Sequence, residues 1–356
     1  MNGDRAISNA TRYYCSREAV KAAVGIVGAK SDAVIDRNIE AASEDIERLL
    51  VPLTFIPVTA TRTYRWPQVN GRSAVLRIPG WDLIAVTTLQ AKAQDSSPTT
   101  IAAADYFIEP ANEGPPYRRI EIDLSSTAAF EAGDTPQRSI SIAGRWGYRE
   151  DTKAAGALAE GLDTSETEVQ ITNASLIDVG DTLKIESEAM FVSAKAALTT
   201  GTTLNDTLTV DRNDVTVTLA SGAAAKVGEV LLLDSERMLV EDITGNDLTV
   251  QRAYDGSVLA AHSTGITVYA YRSLTVVRAV NGTTAATHAD TTAITKYAPP
   301  ADIVELCLAQ AIAHMTQGES RWTGQISGGE GAVNVRMVDL FHLRRSIIEK
   351  YARVTH

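Results

Sequence analysis

The sequence predicts an α+β protein: a helical core with β-strands and hairpins, plus an inserted all-β region built from two related units. Three observations predict this. Apolar residues recur at helical spacing near both ends of the chain. Short runs with strand texture, divided by turn residues, fill 61–148. The stretch from Thr167 to Tyr297, rich in Thr, Val, Gly and Asp, repeats itself in two places.

In chain order, Ser16 can cap a helix over SREAVKAAV, and Ser31 a longer one over SDAVIDRNIEAASEDIERLL. In the second, Ile35, Ile39, Ala42, Ile46 and Leu49 form one apolar stripe, with Asp36, Arg37, Glu40, Glu44, Asp45 and Arg48 opposite and Pro52 as the stop. Strands are expected at 61–66, 73–78, 83–92, 105–110, 117–124 and 139–148. Asn70-Gly71 marks a hairpin, since both residues tolerate positive φ, and NEGPP (112–116) marks a turn. The small, acidic run DTKAAGALAEGLDTSETE reads as a linker. Helical texture returns after Pro299-Pro300, where Val304, Leu308, Ala311 and Met315 line up. A glycine-rich, mobile stretch (325–334, within 317–337) precedes a last helix, VDLFHLRRSIIEKYAR, with Leu340, Leu343, Ile347 and Tyr351 on one face. Arg344, Arg345, Lys350 and Arg353 lie off that face. The domains are therefore 1–150, the first part of the core; 151–297, the β-rich insert; and 298–356, the second part of the core.

VGDTLKIESEAMFV (179–192) aligns without gaps to VGEVLLLDSERMLV (227–240), with seven of fourteen residues identical, an offset of 48 from Val179 to Val227. LTVQRAYDGSVLAAH (248–262) aligns to LTVVRAVNGTTAATH (274–288), with eight of fifteen identical, an offset of 26 from Leu248 to Leu274. A tandem repeat has one offset. Two unequal offsets fit an inner unit (214–271) nested in an outer unit split into 167–195 and 274–297. LTVDR (208–212) keeps a near-tandem alternative open, because it would also serve as an outer-unit strand. The repeated Glu188 and Glu236, with Arg278 and Arg252, read as one Glu–Arg pair per unit. Gly256 and Gly282 belong to turn dipeptides, and His262 and His288 to turns or strand edges, without a ligand role.

The formal charge of -11 excludes a protein that coats DNA, which needs surplus Lys and Arg, yet allows a channel through which DNA passes. No apolar run approaches a membrane span or signal peptide. Cys15 and Cys307 read as small buried thiols. No phosphate loop, zinc helix, nucleophile elbow or calcium loop is present, and the five histidines lack metal-ligand spacing. The expectation is therefore no catalytic residue, no cofactor and no metal: not an enzyme. A glycosidase with two carboxylates brought together by folding is the weakest alternative.

Outside the insert, YYCSREAVKAAVGI, DAVIDRNIEAASEDIERLL, DYFIEPANEG and SISIAGRWGY resemble the head–tail connector (adaptor) family of long-tailed bacteriophages. In that family a Trp-Gly-Tyr element leads within a few residues into a proline and a helix like PADIVELCLAQAIAHM. Here Trp146-Gly147-Tyr148 and Pro300 are far apart, and the repeat region lies between them. The resemblance implies a helical connector core and a structural subunit of the virion neck, synthesised in the host cytoplasm. About a dozen copies would form a ring under the portal, contacting portal protein, tail-side neck or stopper proteins and one another. DNA would pass through without sequence-specific binding, and no membrane would be involved. By the same analogy the last helix, with Leu340, Leu343, Arg344, Arg345, Ile347 and Tyr351, is the portal-docking element, and deleting 338–356 is expected to spare the fold. Excising 152–297 is likewise expected to leave a folded core. The alternative is a virion-anchored adhesion or carbohydrate-binding module, for which Tyr254, Tyr269, Tyr271 and Tyr297 are the stacking candidates.

Overall fold

The computed structural model describes residues 12–51, 53–67, 74–319 and 337–351. Pro52, Asn70-Gly71, the glycine-rich stretch and Arg353 lie outside the described residues.

Ser16 opens α1 (Arg17–Val24) by accepting a hydrogen bond from Ala19 N at 3.2 Å, and Gly25 closes it at φ 69, a conformation glycine adopts without strain. In α2 (Asp32–Leu49), Ile35, Ile39, Ala42 and Ile46 are fully buried, each isoleucine contributing about 1.5–3 kcal/mol of burial. Ser31 makes no side-chain cap bond. Its carbonyl instead accepts from Val34 and Ile35, so the backbone performs the capping expected of the hydroxyl. Two more helices, α3 (Ala301–Glu319) and α4 (Met337–Tyr351), complete this block. Ile303, Leu306, Cys307 and Ala311 of α3 are wholly enclosed among α2, α4 and Phe55. The expected stripe is therefore displaced: Val304 and Leu308 are only partly buried.

Between α2 and the insert run β1 (Val58–Tyr64), β2 (Val75–Arg77), β3 (Leu83–Ala91), β4 (Thr99–Ile101), β5 (Tyr106–Glu109), β6 (Arg119–Ile122) and β7 (Ile140–Trp146). They form two antiparallel sheets, β1-β7-β3-β4 and β2-β6-β5, around one shared core of Leu76, Leu83, Leu89, Ile120, Ile142 and Trp146. Every strand expected here is present, with trimmed ends except that β1 begins three residues earlier, at Val58. β4, an edge strand of three residues, went unread because it is too short to show a period.

The insert contributes β8 (Thr152–Ala157), β9 (Glu168–Gln170), β10 (Thr182–Ile185), β11 (Glu188–Thr203), β12 (Thr216–Thr218), β13 (Val230–Leu233), β14 (Glu236–Thr244), β15 (Asp247–Gln251), β16 (Thr267–Val277) and β17 (Ala293–Tyr297), joined in one ten-stranded antiparallel sheet. The long strands β11 and β16 pair along most of their length and cross between two hydrophobic cores. One core holds Leu158, Val169, Leu183, Met190, Leu274 and Ile294; the other holds Leu204, Leu219, Leu231, Met238, Leu248 and Val268. The second core lies wholly between the two halves of the first in sequence. Leu208 pairs with His262 and is buried in the second core, so LTVDR belongs to the inner unit, which begins earlier than Asp214.

Two expectations are corrected. Of the described residues 36% are strand and 23% helical, with four α-helices among large antiparallel sheets. A helical core carrying strands is therefore not its architecture. The helical stripes stand out in sequence, but the strands of 58–146 bury a core of their own and need no helix to do so. The run 151–168 is also no linker. Ala154 and Lys153 pair with β17, and Ala155, Leu158 and Leu162 are buried in the first core of the insert.

Candidate functional site

Three places concentrate polar or exposed chemistry: the repeated ion networks, the junction between the helices and the insert, and the outer face of α4.

In the inner unit, Glu236 is fully buried. It accepts from Arg252 Nε at 2.7 Å and Nη2 at 2.8 Å, and from the N–H groups of Ala253 and Ala260 at 2.9 and 3.0 Å. His262 Nε2 lies 3.0 Å from the same carboxylate, and its Nδ1 lies 3.0 Å from Asp234. The outer unit repeats this. Glu188 accepts from Arg278 Nε at 2.7 Å, Arg278 Nη2 at 2.8 Å, Ala279 N at 3.2 Å and Ala286 N at 3.0 Å. His288 stands 2.9 Å from both Glu188 and Glu186. Each arginine spends its remaining donors on carbonyls: Asp163, Glu166 and Ala286 for Arg278; Thr209, Asp214 and Ala260 for Arg252. Burial alone would raise the two glutamates, but the bonds from arginine, backbone and histidine outweigh it and hold both at about 2.

Every lone pair of these carboxylates is taken, so neither has capacity for a proton-transfer role or a metal ion. The structure thus brings Glu188 to Arg278 and Glu236 to Arg252. The backbones of His262 and His288 pair in isolated β-bridges with Leu208 and Leu162, as strand-edge residues do, and their side chains are buried members of the networks. Conservation of the histidine in both copies, at the same distance from the arginine, was the signal for it. A third buried acid, Glu229, was not read from the sequence. It accepts from Arg272 at 2.7 and 2.6 Å, from Lys226 N, and from Ala174 N across the unit boundary. An acid follows the glycine in both copies, at Asp181 and Glu229, which was its only trace in the sequence. Among the described residues no group of three His, Cys, Asp or Glu is placed to hold a metal.

At the junction, both repeated turns touch the first part of the chain. Gly256 sits at φ 73, where an added Cβ would lie 3.2 Å from Val27; Gly282 sits at φ 76, where a Cβ would lie 2.1 Å from the carbonyl oxygen of Thr59. Gly28 N donates to Asp255 at 2.9 Å, and Lys21 reaches the same carboxylate. Arg17 N donates to Val179 O at 3.0 Å, while Val179 N donates to Glu18 at 2.9 Å. Burial, then the charge of Asp178, pushes Glu18 up to about 7. A cleft of about 640 Å³ remains here, lined among others by Lys21, Arg237, Gln251, Tyr254 and Tyr271.

Trp146 is buried and donates its Nε1 hydrogen to Ala60 O at 2.9 Å. Gly147 and Tyr148 donate to Asp82 O and Thr54 O, each at 2.8 Å. The Tyr148 ring meets Phe55 and Tyr351 at 5.8 and 5.2 Å. Just beyond, the two ends of the insert meet: Ala298 N donates to Asp151 O at 2.8 Å, and Thr152 is registered with Tyr297.

The docking face expected on α4 is occupied within the chain. Leu340, Ile347 and Tyr351 are buried in the helical core, Leu343 packs beside them, and Arg344 pairs with Asp45 at 3.0 Å. Tyr351 also donates to Asp302 at 2.9 Å. Truncation at 338 therefore strips the core, contrary to the expectation that it spares the fold. What faces outward is Phe341, 62% exposed, with His342 and Arg345. No described helix is long and apolar enough to cross a membrane.

Searched against protein-family models, curated proteins and solved structures, the chain matches none.

Proposed function

We propose that the chain is a structural subunit of a tailed-phage neck, a head–tail connector that assembles as a ring beneath the portal, extends the DNA channel and joins head to tail. The observation that carries this reading is the meeting of Asp151 and Ala298. With the insert set aside, Trp146-Gly147-Tyr148 runs directly into Pro300 and α3, the order that the resemblance expects of an uninterrupted chain. Two facts support a structural role. The buried acids of the insert are saturated by internal donors, and the insert is bonded to α1 and packed against β1. Such a body transmits position, not chemistry. Its partners are the portal, tail-side stopper proteins and further copies of itself, and DNA passes without sequence-specific contact. The face available to a partner on α4 is Phe341, His342 and Arg345.

The test is to mix purified chain with portal rings of the same particle and image them by electron microscopy. A symmetric collar at one end of the portal is expected. Intact portal rings left bare would refute the reading.

A second reading is favoured by one observation: Tyr254 and Tyr271 line the junction cleft together with Arg237 and Gln251. Aromatic faces beside hydrogen-bonding groups suit a glycan, so a virion-anchored adhesion module is the alternative. Glycan-array binding that is lost in Tyr271→Ala would favour it.

A further inference from the structure

Cys15 and Cys307 are the only cysteines of the chain, and 292 residues separate them. Cys15 lies just ahead of α1, and Cys307 lies within α3. Folding brings their sulfurs to 3.3 Å inside the helical core, where Cys15 is 6% exposed and Cys307 fully enclosed. Their surroundings are unequal. Cys15 donates its S–H to Cys307. Ser43 Oγ, which accepts from Tyr14 N at 3.1 Å, lies 3.4 Å from Cys307 Sγ, within reach of a hydrogen bond in either direction. Cys307 is therefore the acceptor of the pair. The hydrogen bond from Cys15, against the opposing effect of burial and helped by Ser43 and the backbone N–H groups of Tyr14 and Cys15, pushes its thiol down. The bond to Cys307, then burial, pushes Cys15 up. A thiolate is the nucleophile of sulfur chemistry, so the two cysteines have different roles.

We propose that Cys15 and Cys307 form a paired oxidation site, with Cys307 as the attacking sulfur and Cys15 as the resolving one, which closes into an intramolecular disulfide under a small peroxide. Hydrogen peroxide fits, because the enclosed pair excludes a bulky oxidant. The Cys307 thiolate attacks one peroxide oxygen and breaks the O–O bond. This gives the sulfenic acid and hydroxide, and the hydroxide takes up the proton that Cys307 released. The Cys15 sulfur then displaces the sulfenic oxygen, which leaves as water with the Cys15 proton. Two thiols are oxidised by two electrons, and one peroxide is reduced to two waters.

The bond joins the segment before α1 to α3. That segment touches the insert through the Tyr13 ring against Phe191 at 4.9 Å, and Arg17, the first residue of α1, does so through its N–H on Val179 O. One covalent link would thus tie the first helix, the third helix and the edge of the insert, and close most of the chain into a loop. Loop closure restricts the unfolded chain and stabilises the native state. Made in a reducing cytoplasm, the protein would fold with free thiols and lock only on exposure to an oxidising medium.

The test uses the full chain, reduced and native, treated with hydrogen peroxide, then alkylated, digested and analysed by mass spectrometry. The expected result is a Cys15–Cys307 linked peptide lacking two hydrogens, no alkylatable thiol, and a higher thermal midpoint that reductant reverses. Both thiols still alkylatable upon later denaturation, or links only between chains, would overturn the proposal. Cys15→Ser should accumulate a sulfenic acid at Cys307, trapped when the oxidised chain is unfolded in dimedone, while Cys307→Ser leaves Cys15 unoxidised. The reverse pattern overturns the assignment of roles. Cys15→Ala and Cys307→Ala repeat the comparison without placing a hydroxyl in the core.

Discussion

Replacing Glu236 with glutamine keeps the shape of the side chain and removes its charge. In the native chain that charge faces the Arg252 guanidinium, whose side chain is 1% exposed, and accepts from two backbone N–H groups. Breaking a buried pair from one side leaves an uncompensated charge and costs about 3–5 kcal/mol. The same network makes the insert acid-sensitive, and the sign follows from the direction of the shift. Glu188 and Glu236 fall from 4.5 to about 2 on folding, so the stabilisation is complete above the unfolded value. It is lost as pH drops from about 4.5 toward 2, at about 3 kcal/mol for each carboxylate. Tryptophan fluorescence reports only on the part of the chain outside the insert, because Trp66, Trp81, Trp146 and Trp322 all lie outside 151–297. Urea melts followed by hydrogen exchange of peptides from 151–297, against tryptophan fluorescence, then report on the insert and on the remainder. Between pH 7 and 3 the insert should lose stability, and Glu236→Gln should show lower stability at pH 7 with a shallower loss toward acid. A variant as stable as the parent at pH 7, with an unchanged acid slope, would refute the account of the network.

Other perturbations follow from the same contacts. Gly282→Ala should cost more than 2 kcal/mol and raise hydrogen exchange along β1, because its Cβ would press on Thr59 O. Gly201→Ala, with equally positive φ but open space, should cost about 1 kcal/mol by thermal melt. Ile347→Ala should destabilise the helical block by about 2–5 kcal/mol in a tryptophan-monitored urea melt. Phe341→Asp should leave that melt unchanged and abolish the collar on portal rings. Should Phe341→Asp still decorate them, the outer face of α4 is not the docking face. Glu229→Ala should loosen the inner unit from the outer one, seen as two separate unfolding steps where the parent has one.

The parts of the fold that could be read were those written twice or written locally. Duplication exposed the Glu–Arg pairing, because both copies retain both residues at matching positions while their surroundings drift. Strands 58–146 were readable from alternation and turns. The last helix showed its stripe plainly, yet periodicity reveals that a face is apolar and not what covers it; here the cover is Phe55, Tyr148 and α3 of the same chain. β8 was invisible because alanine and glycine carry little strand preference, and its order comes from pairing with β17, distant in sequence. The meeting of Cys15 with Cys307, and of Glu18 with Val179, depends on how separate elements dock. No local pattern records that. The architecture was misjudged for a related reason: helical stripes are conspicuous, while short strands that build a shared core advertise themselves weakly one at a time.

The inner unit occupies the place where the outer unit would otherwise turn from β11 into β16, and its own counterpart of that place is the turn between β14 and β15 at Gly245-Asn246. A hairpin that can be opened and lengthened without shifting the register of its host is a graft point, and this fold has one that remains closed. Asn246, which accepts from Gly222 N and Leu219 N, each at 2.9 Å, and Gly245, whose carbonyl packs on Gly222, would have to be kept in place. A fluorescent domain or epitope spliced between Gly245 and Asn246 should therefore be carried outward by the sheet, as the inner unit is carried by the outer one. That would allow the protein to be tracked in an assembled particle with both of its terminal segments unaltered.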